Sequence, residues 1–178
     1  LLQSSLLNND KFIYLLLGAA ILFVWIARMH LLSFPLERDE GEYAYMAKLI
    51  LDGHPPYTLA CNMKLPGTYY MYALIMKIFG VSVTGIHMGL ALLNIASMFL
   101  FFLISKNFVS KIGAVISASS FGILSASKTL LGQAAHATHF VTFFALLGIS
   151  ILLPLFQNEK HKGMKYFISG LCFSFAFI

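Results

Sequence analysis

The chain has 178 residues, of which 59% are hydrophobic, 15% aromatic and only 11% charged. A soluble domain carries roughly 25% charged and about 45–50% apolar residues, so this composition excludes a disordered protein, a nucleic-acid-binding domain and most soluble enzymes. The formal charge of +5 then needs no nucleic acid, because in a chain dissolved in a bilayer such an excess reflects Lys and Arg in cytoplasmic loops.

A spanning helix needs about 20 apolar residues. The first predicted span covers 12–33, from Phe12 through FIYLLLGAAILFVWIA and past Arg28. Arg28 and His30 lie near its end and are expected to snorkel to the headgroups. A cleaved signal peptide fits less well, since the run exceeds a typical h-region of about 7–15 residues and no small-x-small site follows. A long external loop is expected over 34–84, with helices at 40–51 and 66–79. Further spans are predicted at 86–105, 112–131 and 137–156, and an incomplete one at 166–178. The chain starts without Met and stops inside an apolar run, as expected of a fragment. The expected fold is all-α, a polytopic helical membrane protein with one transmembrane domain fragment over 1–178.

The segment Pro66–Phe79 is short for a span and carries Lys77. Charge placement decides its reading. If it lies on the membrane and the N-terminus is cytoplasmic, Lys106, Lys111, Lys160, Lys162 and Lys165 all fall inside, and Lys11 flanks the start. That satisfies the positive-inside rule, whereas a crossing would move both basic loops outside. The segment is therefore read as an interfacial helix.

The external loop then holds Glu37, Asp39, Glu40, Glu42 and Asp52, five of the chain's seven acids. Tyr43, Met46, Ala47 and Ile50 share one face of its first helix, which therefore rests on the membrane or on neighbouring spans. Asp39 sits where that helix begins, where Asp39 and Glu42 have the spacing of a capping box. A carboxylate there can also accept a proton from a substrate hydroxyl. Glu40 is a candidate for acceptor binding or for metal coordination through oxygen. Lys64, before Leu65-Pro66-Gly67, is either a snorkelling residue or a phosphate contact. His136 and His139 are three apart and able to share a helix face, but two ligands do not make a metal site, and none is assigned. Cys61 and Cys172 show neither a zinc spacing nor a disulfide framework.

The runs Arg-Asp-Glu-Gly-Glu-Tyr-Ala-Tyr (38–45), Gly53-His54-Pro55-Pro56-Tyr57 and Lys64-Leu65-Pro66-Gly67-x-Tyr69 resemble the first external loop of GT-C membrane glycosyltransferases. The resemblance is to the protein O-mannosyltransferase and aminoarabinose-transferase-like group. The stretch Gly132–Phe140 resembles that group's second external loop. Together they cover about 12–178. Such proteins have more spans than this chain holds, so it resembles their N-terminal part.

The resemblance implies a glycosyltransferase that moves a sugar from a polyprenyl-phosphate donor to a hydroxyl acceptor. The acceptor is a protein, lipid or glycan. Transfer is on the external or lumenal side, with inversion. Asp39 matches the general base and Lys64 the lysine beside the donor phosphate, with Arg38 as a second cation. His136 and His139 become second-loop candidates for phosphate or metal. Lys-Leu-Pro stands where Lys-Pro-Pro is commoner, Thr138 where many relatives carry an acid, and Met63 where some carry one before the lysine. No cofactor is assigned, and a divalent metal stays open. A prokaryotic plasma membrane is favoured over the endoplasmic reticulum. The competing expectations are a transporter or flippase fragment, or an inactive membrane scaffold. A transporter would place carboxylates near the midplane, and no Asp or Glu falls inside a predicted span.

Overall fold

The computed structural model describes residues 10–130, 132–154 and 162–178. Among them every regular element is helical: α1 Asp10–Met29, α2 Arg38–Leu51, α3 Gly67–Phe79, α4 Val83–Ser105, α5 Lys111–Leu124, α6 Ala137–Leu152 and α7 Lys162–Phe177, with a 3-10 turn at Lys128–Leu130. Helices α1 and α4 are long and apolar enough to cross a membrane, and α5, α6 and most of α7 are shorter apolar helices. Leu131, Glu159, Lys160 and the end of the predicted 137–156 span lie outside the described residues.

Helix α5 stops at Leu124 rather than continuing to 131. Ser125 and Ser127 favour turns over helix interiors. Gly132 donates its N–H to the Ser127 carbonyl at 2.9 Å. The chain folds back so closely that a Cβ on Gly132 would lie 2.3 Å from the Ser125 oxygen. Only glycine permits that approach.

The start of α2 also differs from the sequence expectation. The capping box is formed by Glu37 and Glu40, two residues before the predicted Asp39–Glu42 pair. The Glu37 side chain accepts from the Asp39 N–H, and the Glu40 side chain accepts from the Glu37 N–H, both at 2.9 Å. Asp is a preferred N-cap and Glu is not, so the residue types misplace the helix start. Asp39 is instead inside the first turn, still at the positive end of the helix dipole.

Two apolar cores stack along α4. In the inner one, Ile13, Leu17 and Val24 of α1 meet Met98 and Phe102 of α4 and Ala114, Val115 and Ala118 of α5. The outer one joins Tyr43, Met46 and Ala47 of α2, the buried face of α3, Ile86 and Leu90 of α4, and Ala135 and Phe140. The apolar face of α2 thus packs against protein.

One end of the bundle gathers the end of α1, the starts of α2, α4 and α6, and the turn after α5. At the other end Lys111 pairs with Asp10, and Lys106 lines the same small pocket. The acidic loop and these lysines therefore occupy opposite ends.

Arg28 does not snorkel. It is 3% exposed and its guanidinium donates to the carbonyls of Ser125 and Gly132. These carbonyls are better partners than distant headgroups, because they include an orphan acceptor at the end of α5 and a buried one in the turn that follows. Replacing Arg28 with Met leaves these acceptors without their donor, which costs about 1–3 kcal/mol for each buried one. The expected result is a lower unfolding midpoint in detergent and faster proteolysis within 125–136; an unchanged midpoint would show that the guanidinium does not hold this turn.

Candidate active site

The site is built on the first turn of α2. Asp39 and Glu40 follow each other on the helix and therefore point in different directions. Asp39 turns toward Lys64, and Glu40 turns inward.

Asp39 Oδ2 is 3.1 Å from Lys64 Nζ, and Arg38 Nε is 3.6 Å from Oδ1. Lys64 Nζ also donates to the Tyr43 hydroxyl at 2.9 Å and lies 4.6 Å from the centre of the Tyr43 ring. Tyr43 is one helical turn after Asp39, so the two present a carboxylate and a phenol on one face. The hydrogen bond from Lys64 holds the Asp39 carboxyl below the usual aspartate range, with smaller help from the charges of Lys64, Arg38 and His136. The Tyr43 and Asp39 contacts in turn raise Lys64, against an opposing effect of desolvation. At neutral pH the pair is a carboxylate and an ammonium.

The loop holding Lys64 is itself pinned. Tyr57 has φ +69°, an uncommon conformation for a residue with a side chain. Its hydroxyl donates to the Lys64 carbonyl at 2.6 Å, and its ring packs edge-on against Tyr69. Tyr69 is buried, and burial pushes its phenol up to about 12.

Glu40 is completely buried. Oε1 accepts from the Ala135 N–H at 2.6 Å and faces His87 Nε2 at 3.1 Å, while Oε2 accepts from the Glu37 N–H. Burial alone would raise this carboxyl, but the hydrogen bonds from His87, Ala135 and Glu37 outweigh it and leave it below the ordinary value. His87 Nδ1 faces the Leu32 carbonyl at 3.1 Å. Both ring nitrogens thus meet acceptors, and only the doubly protonated ring donates to both. The oxygens of Glu40 are occupied by protein, so its place is at the joint between the start of α2, the turn before α6 and α4.

His136 and His139 part ways. His136 occupies the N-cap position of α6 without a side-chain capping bond, and its Nε2 is buried without a hydrogen bond, 3.8 Å from Glu37 Oε2. His139 turns to Asn94, with Nδ1 3.1 Å from the amide oxygen. Glu37, Asp39 and His136 each offer one ligand atom, all within 4.8 Å of one another. That is the donor set on which a divalent cation would be held, and it shares Asp39 with Lys64. Glu37 and Tyr43 were not among the candidates from sequence. The Glu-x-x-Glu spacing of 37 and 40 and the one-turn spacing of 39 and 43 are the signals that point to them.

Beside Lys64 an apolar cavity of about 550 Å³ opens between α3, α6 and α7, walled by Leu65, Tyr70, Phe140, Phe144 and Phe177. One charged group thus stands at the edge of an otherwise oily cleft. That is the arrangement for a ligand with an anionic head and a hydrocarbon tail.

Residues 54–178 match the family model described as dolichyl-phosphate-mannose-protein mannosyltransferase. The matched range includes Lys64, His136 and the cavity and begins after Asp39. No curated protein and no solved structure matches the chain.

Truncating Glu40 to Ala leaves His87 Nε2 and the Ala135 N–H without their partner in the interior. Breaking one side of a buried pair costs about 3–5 kcal/mol, so the unfolding midpoint should fall steeply. Asp52→Asn removes only the exposed Lys48–Asp52 contact within α2 and should shift stability by about 0.5 kcal/mol or less. Equal midpoints for the two variants would contradict the role given to Glu40.

Proposed function

Because the chain belongs to the dolichyl-phosphate-mannose-protein mannosyltransferase family, a family of membrane glycosyltransferases, we propose that it moves a sugar from a polyprenyl-phosphate donor to an acceptor hydroxyl, with inversion. The observation that carries this reading is the Asp39–Lys64 pair, 3.1 Å apart, at the rim of the apolar cavity lined by Lys64. In this reading the prenyl chain lies in the cavity and its phosphate meets Lys64, with Arg38 as a second cation and His136 near by.

The chemistry follows from the charges. Asp39 takes the proton of the acceptor hydroxyl as its oxygen bonds to the anomeric carbon. The bond from that carbon to the phosphate oxygen breaks, and its electron pair leaves with the lipid phosphate. Lys64 stabilises the charge that grows there. General-base help of this kind contributes typically 10²–10⁴-fold. Before the donor arrives, Lys64 neutralises Asp39. A phosphate that draws Lys64 to itself weakens that contact and restores the proton affinity of Asp39. The base is thus strengthened by the substrate it works beside.

The placement of Asp10, Lys106 and Lys111 opposite the acidic loop supports a cytoplasmic N-terminus, an external or lumenal site and several membrane crossings. A prokaryotic plasma membrane is the favoured setting. The acceptor is a hydroxyl of a protein, lipid or glycan.

The test is transfer from radiolabelled polyprenyl-phosphate mannose by the full-length protein in membranes, with and without chelator. Donor consumption is expected; its absence with every polyprenyl-phosphate sugar tried would favour a transporter or scaffold. Asp39→Asn should lower turnover by about 10²–10⁴-fold while inserting normally, and normal turnover would remove the base assignment.

The pH profile gives an independent check. Lys64 depresses the Asp39 carboxyl, so the acidic limb of kcat/KM should lie below the ordinary aspartate value of about 3.9. Lys64→Met should move that limb upward and raise the donor KM. A limb that stays in place would show that Lys64 does not tune this carboxylate.

A further inference from the structure

A second cavity, of about 240 Å³, lies between α4, α5 and α6 beneath the turn after α5. It shares no lining residue with the apolar cavity beside Lys64. Asn94 on its wall is seven residues along α4 from His87, so it lies about 10 Å farther down the same helix than the Glu40 joint. The polar groups around it are Asn94, Ser97, Ser125, Thr138, His139 and Thr142. None of these is an acid, a lysine or an arginine; the guanidinium of Arg28 lies behind the wall, donating to Ser125 and Gly132.

Their hydrogen bonds fix what they offer. Asn94 donates its amide to the Leu90 carbonyl at 3.0 Å, which turns its oxygen toward His139. His139 therefore carries a proton on Nδ1 in this contact. Ser97 spends its proton on the Leu93 carbonyl and keeps lone pairs. The hydroxyls of Thr138 and Thr142 have no hydrogen-bond partner among the described residues. The cavity thus sets free hydroxyl donors beside fixed acceptors, with the ring of Phe121 as an apolar wall. Thr138 is exposed, while Asn94 and Ser97 are 2% exposed, so it runs from an accessible rim to a buried end.

A ligand that complements this lining must donate and accept at several points and must carry an apolar face, and with the Nη2 donors of Arg28 taken by Ser125 and Gly132 it needs no charge. We propose that this cavity is a binding site for a neutral glycosyl ring, separate from the Asp39–Lys64 site. An anionic headgroup would meet Arg28 only behind Ser125 and Gly132, which already take its Nη2 donors, a cationic one would find no acid on the lining, and a hydrocarbon would strand the two threonine hydroxyls.

The experiment uses the full-length protein in detergent with labelled histidine, the His139 ring resonances being identified with His139→Gln. Methyl α-mannopyranoside and methyl α-glucopyranoside are titrated, with glycerol and inorganic phosphate as controls. A saturable shift of the His139 resonances with at least one glycoside is expected. Thr142→Val and, separately, Asn94→Leu should each weaken the apparent affinity by roughly tenfold, the equivalent of one good hydrogen bond. Asp39→Asn should leave this binding intact even where transfer is lost, which separates this site from the proposed reaction. A shift that grows without saturation and is matched by glycerol would reduce the cavity to a hydration site and overturn the proposal. So would a shift abolished by Asp39→Asn, or one produced by phosphate alone.

Discussion

The arrangement depends on one buried carboxylate. Glu40 ties the backbone of its own helix start, the imidazole of α4 and the backbone of the second loop to a single group. An ionised carboxylate in such a place is tolerated only because every direction around it supplies a donor. The same requirement fixes geometry. The first loop cannot slide along α4 without removing a donor from Glu40, and the second loop cannot lift without uncovering it. Asp39, the next residue back, is therefore delivered to a set place at the rim.

The neighbouring carboxylates illustrate how environment assigns roles. Asp39 is partly exposed and meets Lys64 from the loop and Arg38 from its own helix turn. Glu40 is enclosed and meets only groups with a structural duty. Adjacent positions on a helix point about 100° apart, so one turn can serve the solvent and the interior together. The aromatic groups extend the same division. The ring of Tyr43 is buried in the outer core, yet its hydroxyl reaches Lys64 at the surface. Packing and charge placement are thereby joined in one side chain.

What was legible in the sequence was local. The acids of the first loop, the helix through Tyr43 and Met46, and the lysine before Leu65-Pro66 can all be read from short spacings. The buried face of α2 follows from its period. The contacts that join distant segments were not legible. Glu40 meets Ala135 across 95 positions, and Arg28 meets Gly132 across 104. Periodicity says which face of a helix is apolar but not which helix covers it. His136 and His139 show the same limit, since their spacing suits a shared face while one stands at a helix cap and the other inside the helix. The displaced start of α2 has a different cause: a glutamate did the work for which aspartate has the better propensity.

The backward-wound backbone at Tyr57 has a consequence for the loop that presents Lys64. A left-handed turn at a residue with a Cβ costs roughly 1–2 kcal/mol, and here one phenolic hydrogen bond and one ring contact offset it. The peptide is accordingly a cocked latch. Its catch is the hydroxyl on the Lys64 carbonyl, and without that catch only the side-chain contacts to Asp39 and Tyr43 keep the ammonium in place.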